Sequence, residues 1–304
     1  MSILVLGAGE LGTAVIEALV RHPKRAGAPI AVVLRQETID SQDPAKKANV
    51  DYIRSLGVGF EAGDFIHDAP GLVPVFKKYA TVIQAAGYGM APGTQLGVTK
   101  AALAAGVPWY FPWQFGCDYA AIGAGSSQPL FDEMLEVRAL LRAQQATAWT
   151  IISNGLFMSY LFLADFGIVD VPNATVRALG GWDRRVTLTT PQDIGVMVAE
   201  AAFVPEGTVN EVVYIGGDTV SYGQVADLVE EGFGKKFTRE EWTMEFLQAR
   251  LRQEPDNLWY KYQNIFGNGR GIAWDFAKTL NSQRGIPLTG VKKYIAENKE
   301  SLSA

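Results

Sequence analysis

The chain begins with Ser2-Ile3-Leu4-Val5-Leu6, which leads directly into Gly7-Ala8-Gly9-Glu10-Leu11-Gly12. Apolar residues at helical spacing follow, and then a second apolar run at 29–34. This order predicts a strand, a glycine turn, a helix and a second strand, the context in which G-x-G-x-x-G indicates dinucleotide binding. Gly7 permits the tight turn, Gly9 lets a pyrophosphate approach the backbone, and Gly12 lets the helix pack on its strand. We expect Glu10 and Leu11, at the helix N-terminus, to lie beside the phosphates.

The end of the second predicted strand indicates which dinucleotide is bound. A carboxylate at that position would hydrogen-bond the ribose hydroxyls of NAD. The sequence instead has Arg35, with no carboxylate before Glu37. A guanidinium group offers a planar fork of donors to a 2′-phosphate, and Lys46 adds positive charge in the following segment. The predicted cofactor is therefore NADP(H).

Composition excludes several classes of protein. The 304 residues are 48% hydrophobic and 19% charged, with a net charge of −5, which is typical of a soluble globular protein and gives no reason to expect nucleic acid. No apolar run is long enough for a transmembrane helix, and no signal peptide is recognisable. One cysteine and two histidines offer no cluster with metal-ligand spacing. We expect a cytoplasmic monomer or homodimer without a metal, a nucleic-acid partner or a membrane partner.

Strand and helix patterns alternate up to Asn154, which predicts an α/β fold with a doubly wound parallel sheet of the Rossmann type. The carboxyl ends of such strands form the ligand crevice, and this places Ala86, Gly87, Tyr88 and Asn154 at one rim. We predict a cofactor domain over 1–154, with return segments around 186–216. A smaller α+β substrate-binding domain is predicted mainly over 155–304.

Two helices and an aromatic-rich segment complete the pattern. Residues 68–78 and 240–252 are predicted as helices from their apolar and charged spacing. Aromatic residues are frequent after Asn154, among them Phe157 and Tyr160. A pocket lined by such residues would suit a small, flat, apolar substrate.

These motifs, in this order, resemble the NmrA-like, isoflavone reductase-like branch of the atypical short-chain dehydrogenases. The resemblance rests on the glycine turn, Arg35, and the phrases Gly63-Asp64, Phe111-Pro112-Trp113-Gln114-Phe115-Gly116, Phe131-Asp132-Glu133, Asn154-Gly155-Leu156-Phe157, 190–195 and 217–221. It implies an NADPH-dependent reductase of aromatic or polyketide-like metabolites. The family also includes dinucleotide-sensing regulators, which leaves such a role as an alternative.

The sequence departs from the family at one position that matters for chemistry. The resemblance implies a catalytic lysine after the Phe-x-x motif, and Met134 stands at that position. A thioether cannot donate a proton. Tyr119 is the first candidate for a replacement donor, with Asp118, Tyr88 and water left as alternatives, and Gln114 is a candidate to hydrogen-bond a substrate carbonyl. The missing lysine also leaves open a non-redox reaction, such as isomerisation, dehydration or cyclisation.

The predicted site residues fall into three groups. The predicted cofactor contacts are Gly7, Gly9, Glu10, Leu11, Gly12, Arg35, Lys46, Ala86, Gly87, Phe115, Asn154 and Phe157. The predicted substrate pocket comprises Tyr88, Trp113, Met134, Phe157 and Tyr160. The candidate catalytic residues are Tyr119 and Gln114.

Overall fold

The computed structural model describes residues 1–87 and 89–303. Its strands are β1 Ile3–Leu6, β2 Ile30–Leu34, β3 Gly59–Ala62, β4 Thr81–Gln84, β5 Trp109–Phe111, β6 Ala148–Ser153, β7 Leu156–Phe157, β8 Val169–Asp170, β9 Thr175–Leu179, β10 Arg185–Thr189, β11 Glu211–Tyr214, β12 Asp218–Ser221 and β13 Thr238–Trp242. Its α-helices are α1 Glu10–Arg21, α2 Gln36–Ile39, α3 Pro44–Ser55, α4 Val73–Phe76, α5 Thr94–Ala105, α6 Tyr119–Ile122, α7 Leu130–Arg142, α8 Pro191–Phe203, α9 Tyr222–Phe233, α10 Met244–Gln253, α11 Leu258–Asn268, α12 Leu280–Gln283 and α13 Val291–Ser303. Short 3₁₀ turns occupy Pro23–Arg25, Pro70–Leu72, Met158–Phe162 and Phe276–Lys278.

Seven strands form the main sheet, in the order β11-β6-β5-β4-β1-β2-β3. Every neighbouring pair from β6 to β3 is parallel. The strand order reverses between β1 and β4, which is the switch point where open α/β sheets bind ligands. The Rossmann-type α/β fold predicted from the sequence is thus confirmed.

The central strands are buried along their whole length because both of their faces are covered. All four residues of β1 are buried, as are those of β4. One face belongs to a core that includes Leu4, Val33 and Phe76. Continuous burial of this kind is expected for parallel strands between two layers of helices.

The chain divides into two compact units. The first comprises Met1–Gln114, Glu133–Ile152 and Ile194–Val213. The second comprises Phe115–Asp132, Ser153–Asp193 and Tyr214–Ala304. The second unit contains two three-stranded sheets, ordered β12-β10-β7 and β13-β9-β8.

Side-chain and glycine caps define the ends of several helices. Ser221 and Gln224 form a reciprocal capping box at the start of α9. The Thr190 hydroxyl accepts from the N–H of Asp193 at 3.1 Å at the start of α8. Gly106 ends α5 in the left-handed conformation that glycine favours.

Two of the predicted helices are wrong in extent. Residues 68–78 contain a 3₁₀ turn and the four-residue α4, because Pro70 and Pro74 remove backbone donors that a longer helix would need. Residues 240–242 belong to β13, which pairs in parallel with β9 from Thr238 opposite Thr175 onward. Only after Thr243, whose hydroxyl accepts from the N–H of Phe246 at 3.3 Å, does α10 begin.

Candidate functional site

Two glycines of the N-terminal turn are required by the backbone itself. Gly7 has φ of +89°, and a Cβ atom there would lie 2.4 Å from the Cβ of Ala86. A Cβ at Gly12 would lie 2.2 Å from the carbonyl oxygen of Gly7. The turn therefore packs against the loop after β4, and α1 packs against the turn, at distances that leave no room for a side chain.

Gly9 has a different reason to be glycine. Its φ of −73° suits any residue, and a Cβ atom there would meet nothing within 4 Å. It is the N-cap of α1 and supplies no side-chain cap. Within the described residues, no side chain accepts from the N–H groups of Glu10, Leu11 or Gly12. The positive end of α1 is thus open to an anion, and the space beside Gly9 lets one approach.

The turn is braced from the outside by a side chain that sequence patterns do not reveal. The carbonyl oxygen of Ala8 accepts from Nδ2 of Asn49 at 2.8 Å and from the hydroxyl of Thr13 at 3.2 Å. Asn49 lies on α3, so the contact spans 41 residues. Nothing in the local pattern around Asn49 indicates this role.

Arg35 follows β2, as predicted, and its side chain is 50% exposed. Nη1 lies 3.0 Å from Oε1 of Glu37, whose own side chain is 71% exposed. An ion pair this open to water contributes little, so a phosphate can replace the Glu37 carboxylate. Lys46 lies in the first turn of α3 with an exposed side chain, and its N–H is bound by Asp43 at 3.0 Å.

Asp64, after β3, adds a negative charge close to Arg35. Partial burial alone would raise the pKa of the Asp64 carboxyl. The backbone N–H groups of His67 and Ile66, helped by the charges of His67 and Arg35, outweigh burial and lower this pKa. Near Arg35, the positive charge of the guanidinium is therefore accompanied by the Asp64 carboxylate, which already accepts hydrogen bonds from backbone N–H groups.

The loop after β4 lies beside the glycine turn in the first unit. Ala86 contacts Gly7, and a Cβ atom at Gly87 would lie 2.2 Å from the ring of Trp113. Trp113 is itself buried. Tyr88, a predicted member of the substrate pocket, lies outside the described residues.

Gln114 has contacts within the first unit that the sequence does not predict. Its Nε2 donates to the carbonyl oxygen of Met134 at 2.8 Å, and its Oε1 accepts from Nε of Arg138 at 2.7 Å. All three residues are buried. Both ends of the amide are therefore used in packing α7, and the substrate role of Gln114 stays a prediction without support from these contacts.

Glu133 fits, from sequence alone, a favourable charge at the start of its own helix. Its carboxylate instead accepts from the backbone N–H groups of Gly93, Gln95 and Leu96, at 2.9, 2.8 and 3.1 Å. It thus caps α5, a helix that begins almost forty residues earlier in the chain.

The second unit holds the remaining predicted residues. Phe115 is buried, and Asn154 is fixed by its backbone, since its N–H donates to Gly116 at 3.0 Å and its carbonyl accepts from Thr189 at 2.7 Å. Oδ1 of Asn154 is buried and has no hydrogen-bond partner within 1–87 and 89–303. An amide oxygen in that state is suited to a donor from a bound molecule.

Aromatic rings form a connected cluster in this unit. Phe157 lies 5.9 Å from Tyr160, which lies 6.2 Å from Trp259, and Phe166 contacts both Tyr160 and Trp259. Phe157 and Tyr160 are only partly buried, so the cluster has an accessible edge. Such an edge offers flat apolar surface to a ligand.

Tyr119, the first candidate for a proton donor, lies inside the second unit and is 2% exposed. Its ring packs on Phe131 at 4.7 Å, and a Cβ atom at Gly116 would lie 2.6 Å from its hydroxyl. The structure shows these packing contacts, and the catalytic role stays a prediction. Next to it, burial and the charge of Asp118 raise the pKa of the Cys117 thiol to about 12, so this cysteine is an unreactive thiol.

Two other kinds of feature are missing from the described part of the molecule. Among residues 1–87 and 89–303, no three His, Cys, Asp or Glu side chains group closely enough to bind a metal ion. No helix in the same ranges combines the length and apolar character that a membrane span requires.

The doubly wound sheet with its glycine turn puts the chain among Rossmann-type proteins, and comparison with known proteins narrows this class. The profile of the NmrA-like family matches residues 1–267. An NmrA-like family domain-containing oxidoreductase of Gibberella moniliformis is 48% identical over 297 residues, covering 97% of each chain. The crystal structure of an isoflavone reductase superposes with a TM-score of 0.80 at 25% identity, covering 97% of this chain and 98% of that one.

A second solved structure, AtPrR2 with NADP+ and (+)pinoresinol, shares the fold at 19% identity, with a TM-score of 0.80 and coverage of 97% and 98%. The chain belongs to the NmrA-like family, as an oxidoreductase of its isoflavone reductase-like branch. The family predicted from the sequence is confirmed.

Proposed function

We propose that the protein is an NADPH-dependent reductase of a small aromatic molecule. The observation that carries this proposal is the open N-terminus of α1 together with the half-exposed guanidinium of Arg35 beyond the neighbouring strand. One binds a pyrophosphate and the other a 2′-phosphate, and NADP(H) carries both groups.

The residues of the first unit fit this cofactor. Gly9 leaves space for the pyrophosphate, and the N–H groups of Glu10, Leu11 and Gly12 are available as donors. Arg35 exchanges an exposed carboxylate for a phosphate. When bound, NADPH supplies the hydride, and these residues bind and orient it.

The aromatic cluster of the second unit supports an aromatic substrate. Phe157, Tyr160 and Trp259 are its partly exposed members. The isoflavone reductase, whose solved structure is 25% identical to this chain, is named for an aromatic substrate. AtPrR2 was solved with pinoresinol. We therefore assign the cofactor to the first unit and the substrate chiefly to the second.

The family resemblance implies a catalytic lysine at the position of Met134, which is fully buried. Since a thioether carries no exchangeable proton, the donor is another group, with Tyr119 as the residue to test. The same substitution favours a second candidate function, a non-redox isomerisation, dehydration or cyclisation in the same site.

Cofactor choice is tested by titrating the protein with NADPH and NADH. We expect Arg35→Ala to weaken NADPH binding by about tenfold and to leave NADH binding unchanged, because only NADPH carries the 2′-phosphate. Arg21→Ala removes an exposed cation of α1 that pairs with Glu17 and serves as the control for net charge. Equal affinity of the native protein for both nucleotides would overturn the assignment.

Reaction type is tested with aromatic ketones, enones and quinones while NADPH absorbance is followed. Consumption of NADPH in step with substrate supports the reductase. Conversion of a substrate without consumption of NADPH supports the non-redox candidate instead.

A further inference from the structure

Glu133 is the buried end of a hydrogen-bonded chain within the first unit. Its carboxylate binds the N–H groups of Gly93, Gln95 and Leu96 and so fixes the first turn of α5. Gly93, the N-cap of α5, has no side chain to do this, and the cap is supplied by α7. One carboxylate therefore joins two helices that are distant in sequence.

Gln95 links the first turn of α5 to the loop after β4. Its side chain is buried, and its Nε2 donates to the carbonyl oxygen of Gly87 at 3.3 Å. Its Oε1 accepts from Nε2 of Gln84 at 2.5 Å, and Oε1 of Gln84 accepts from the hydroxyl of Tyr110 at 2.6 Å. The conformation of Gly87 is thus tied to β4, β5 and α5 by neutral hydrogen bonds anchored on Glu133.

The loop held in this way is in contact with the glycine turn. Ala86 lies against Gly7 so closely that no side chain fits between them. The strand order places β4 beside β1, on the side away from β2. With a 2′-phosphate at Arg35 beyond β2 and a pyrophosphate at α1, the nicotinamide half of a dinucleotide extends toward β4.

We propose that Glu133 is a positioning residue for the nicotinamide half of the cofactor, acting through Gln95 on the Ala86–Gly87 loop. This inference rests on the proposed function. Glu133 does not touch the cofactor in this scheme; it keeps the loop where the cofactor needs it.

The test compares two ligands, NADPH and adenosine 2′,5′-bisphosphate, which lacks the nicotinamide half. We expect Glu133→Gln to weaken NADPH binding by about tenfold, because one amide oxygen replaces two carboxylate oxygens and can no longer hold all three N–H groups of the first turn of α5, on which Gln95 lies. Binding of adenosine 2′,5′-bisphosphate should stay within about twofold of the native value. A merely structural defect would weaken both ligands alike.

Two further variants keep the test decisive. Gln95→Met retains the backbone N–H that Glu133 binds but removes the contact with Gly87, and it should give the same split if Glu133→Gln does not fold. Thr150→Val is the control, because it deletes buried bonds from Trp109 and to Thr208 elsewhere in the same unit.

The possible results separate the two proposals. Equal loss of both ligands in Glu133→Gln, or unchanged NADPH binding in Glu133→Gln and Gln95→Met, would overturn the positioning role. Failure of the native protein to bind NADPH or the bisphosphate would instead overturn the proposed function.

Discussion

Two helices of the first unit follow the carboxyl ends of adjacent strands, but only one of them has its N-terminal N–H groups bound by a side chain of the protein. Helix α1 follows β1 and has Gly9 as its N-cap, with no side chain bound to its first N–H groups among the described residues. Helix α5 follows β4, and its first N–H groups are filled by the buried carboxylate of Glu133. The same positive helix end is left for a ligand in one case and closed by the protein in the other.

This difference shows which helix N-terminus has N–H groups left to bind a ligand. Four N–H groups at any helix start need acceptors, and leaving them unsatisfied in a buried place is costly. At α1 the surroundings of Gly9 are open, so the donors remain available without that cost. At α5 the first helical residues Thr94 and Gln95 are buried, and the carboxylate of Glu133 binds the N–H groups there and stabilises the fold.

Removal of the closed cap should have the largest effect. We expect Glu133→Ala to lower the free energy of unfolding by about 3 kcal/mol, because the N–H groups of Gly93, Gln95 and Leu96, the second of them buried, lose a charged acceptor. The measurement is urea unfolding followed by circular dichroism. Asp132→Ala is the neighbouring control, since within the described part of the chain its carboxylate binds only the exposed N–H of Gly125, and the change should cost less than about 1 kcal/mol. Similar losses in the two variants would contradict the special role of the buried cap.

Introducing a side-chain cap at the N-terminus of α1 is the converse experiment, and we expect it to change cofactor binding and not folding. Gly9→Asp places a carboxylate where the pyrophosphate is proposed to bind, and we expect NADPH affinity to fall about fiftyfold. Folding stability should be unchanged or slightly higher, because aspartate is a good N-cap and the backbone at Gly9 is unstrained.

Gly9→Asn is the matched control for charge. It has the same size and capping ability, and we expect a loss of only about fivefold in affinity. NADPH binding by Gly9→Asp equal to that of the native protein would show that α1 is not the phosphate site.

The open and the closed terminus also differ in how far sequence can predict them. The glycine turn consists of residues that are close together in the sequence, so the sequence pattern alone predicts the structural role of Gly7, Gly9 and Gly12. The Glu133 cap joins residues 37 to 40 positions apart and depends on how α7 packs. The local pattern at Glu133 fits an ordinary first-turn charge equally well.

Other features are also mispredicted or missed because they depend on contacts between residues that are distant in the sequence. The charged spacing of 240–242 predicts helix, but pairing of β13 with β9, over sixty residues earlier, overrides that local preference. The brace from Asn49 to Ala8 and the contacts of Gln114 with Met134 and Arg138 are likewise tertiary. The overall fold, by contrast, follows from strand and helix alternation and is predicted correctly.

Asp64 provides an intermediate case and the smallest expected effect. Its Oδ1 accepts from the N–H groups of Ile66 and His67 at 2.9 and 3.0 Å, but the turn is only partly buried. Because its pKa is lowered in the folded state, ionised Asp64 stabilises the fold above the unfolded pKa of about 3.9, and this contribution is lost as pH falls through the lower folded value.

We therefore expect Asp64→Asn to be less stable than the native protein at pH 7, by less than about 1 kcal/mol because solvent screens the site. The two proteins should converge as pH falls below the unfolded pKa of about 3.9 and through the lower folded pKa of Asp64, where the native carboxyl becomes protonated. Urea unfolding at a series of pH values between 2 and 7 measures this (~0.5 pH steps suffice to follow one carboxyl). A gap that stays constant down to pH 2 would mean that the carboxylate charge at Asp64 does not stabilise its turn.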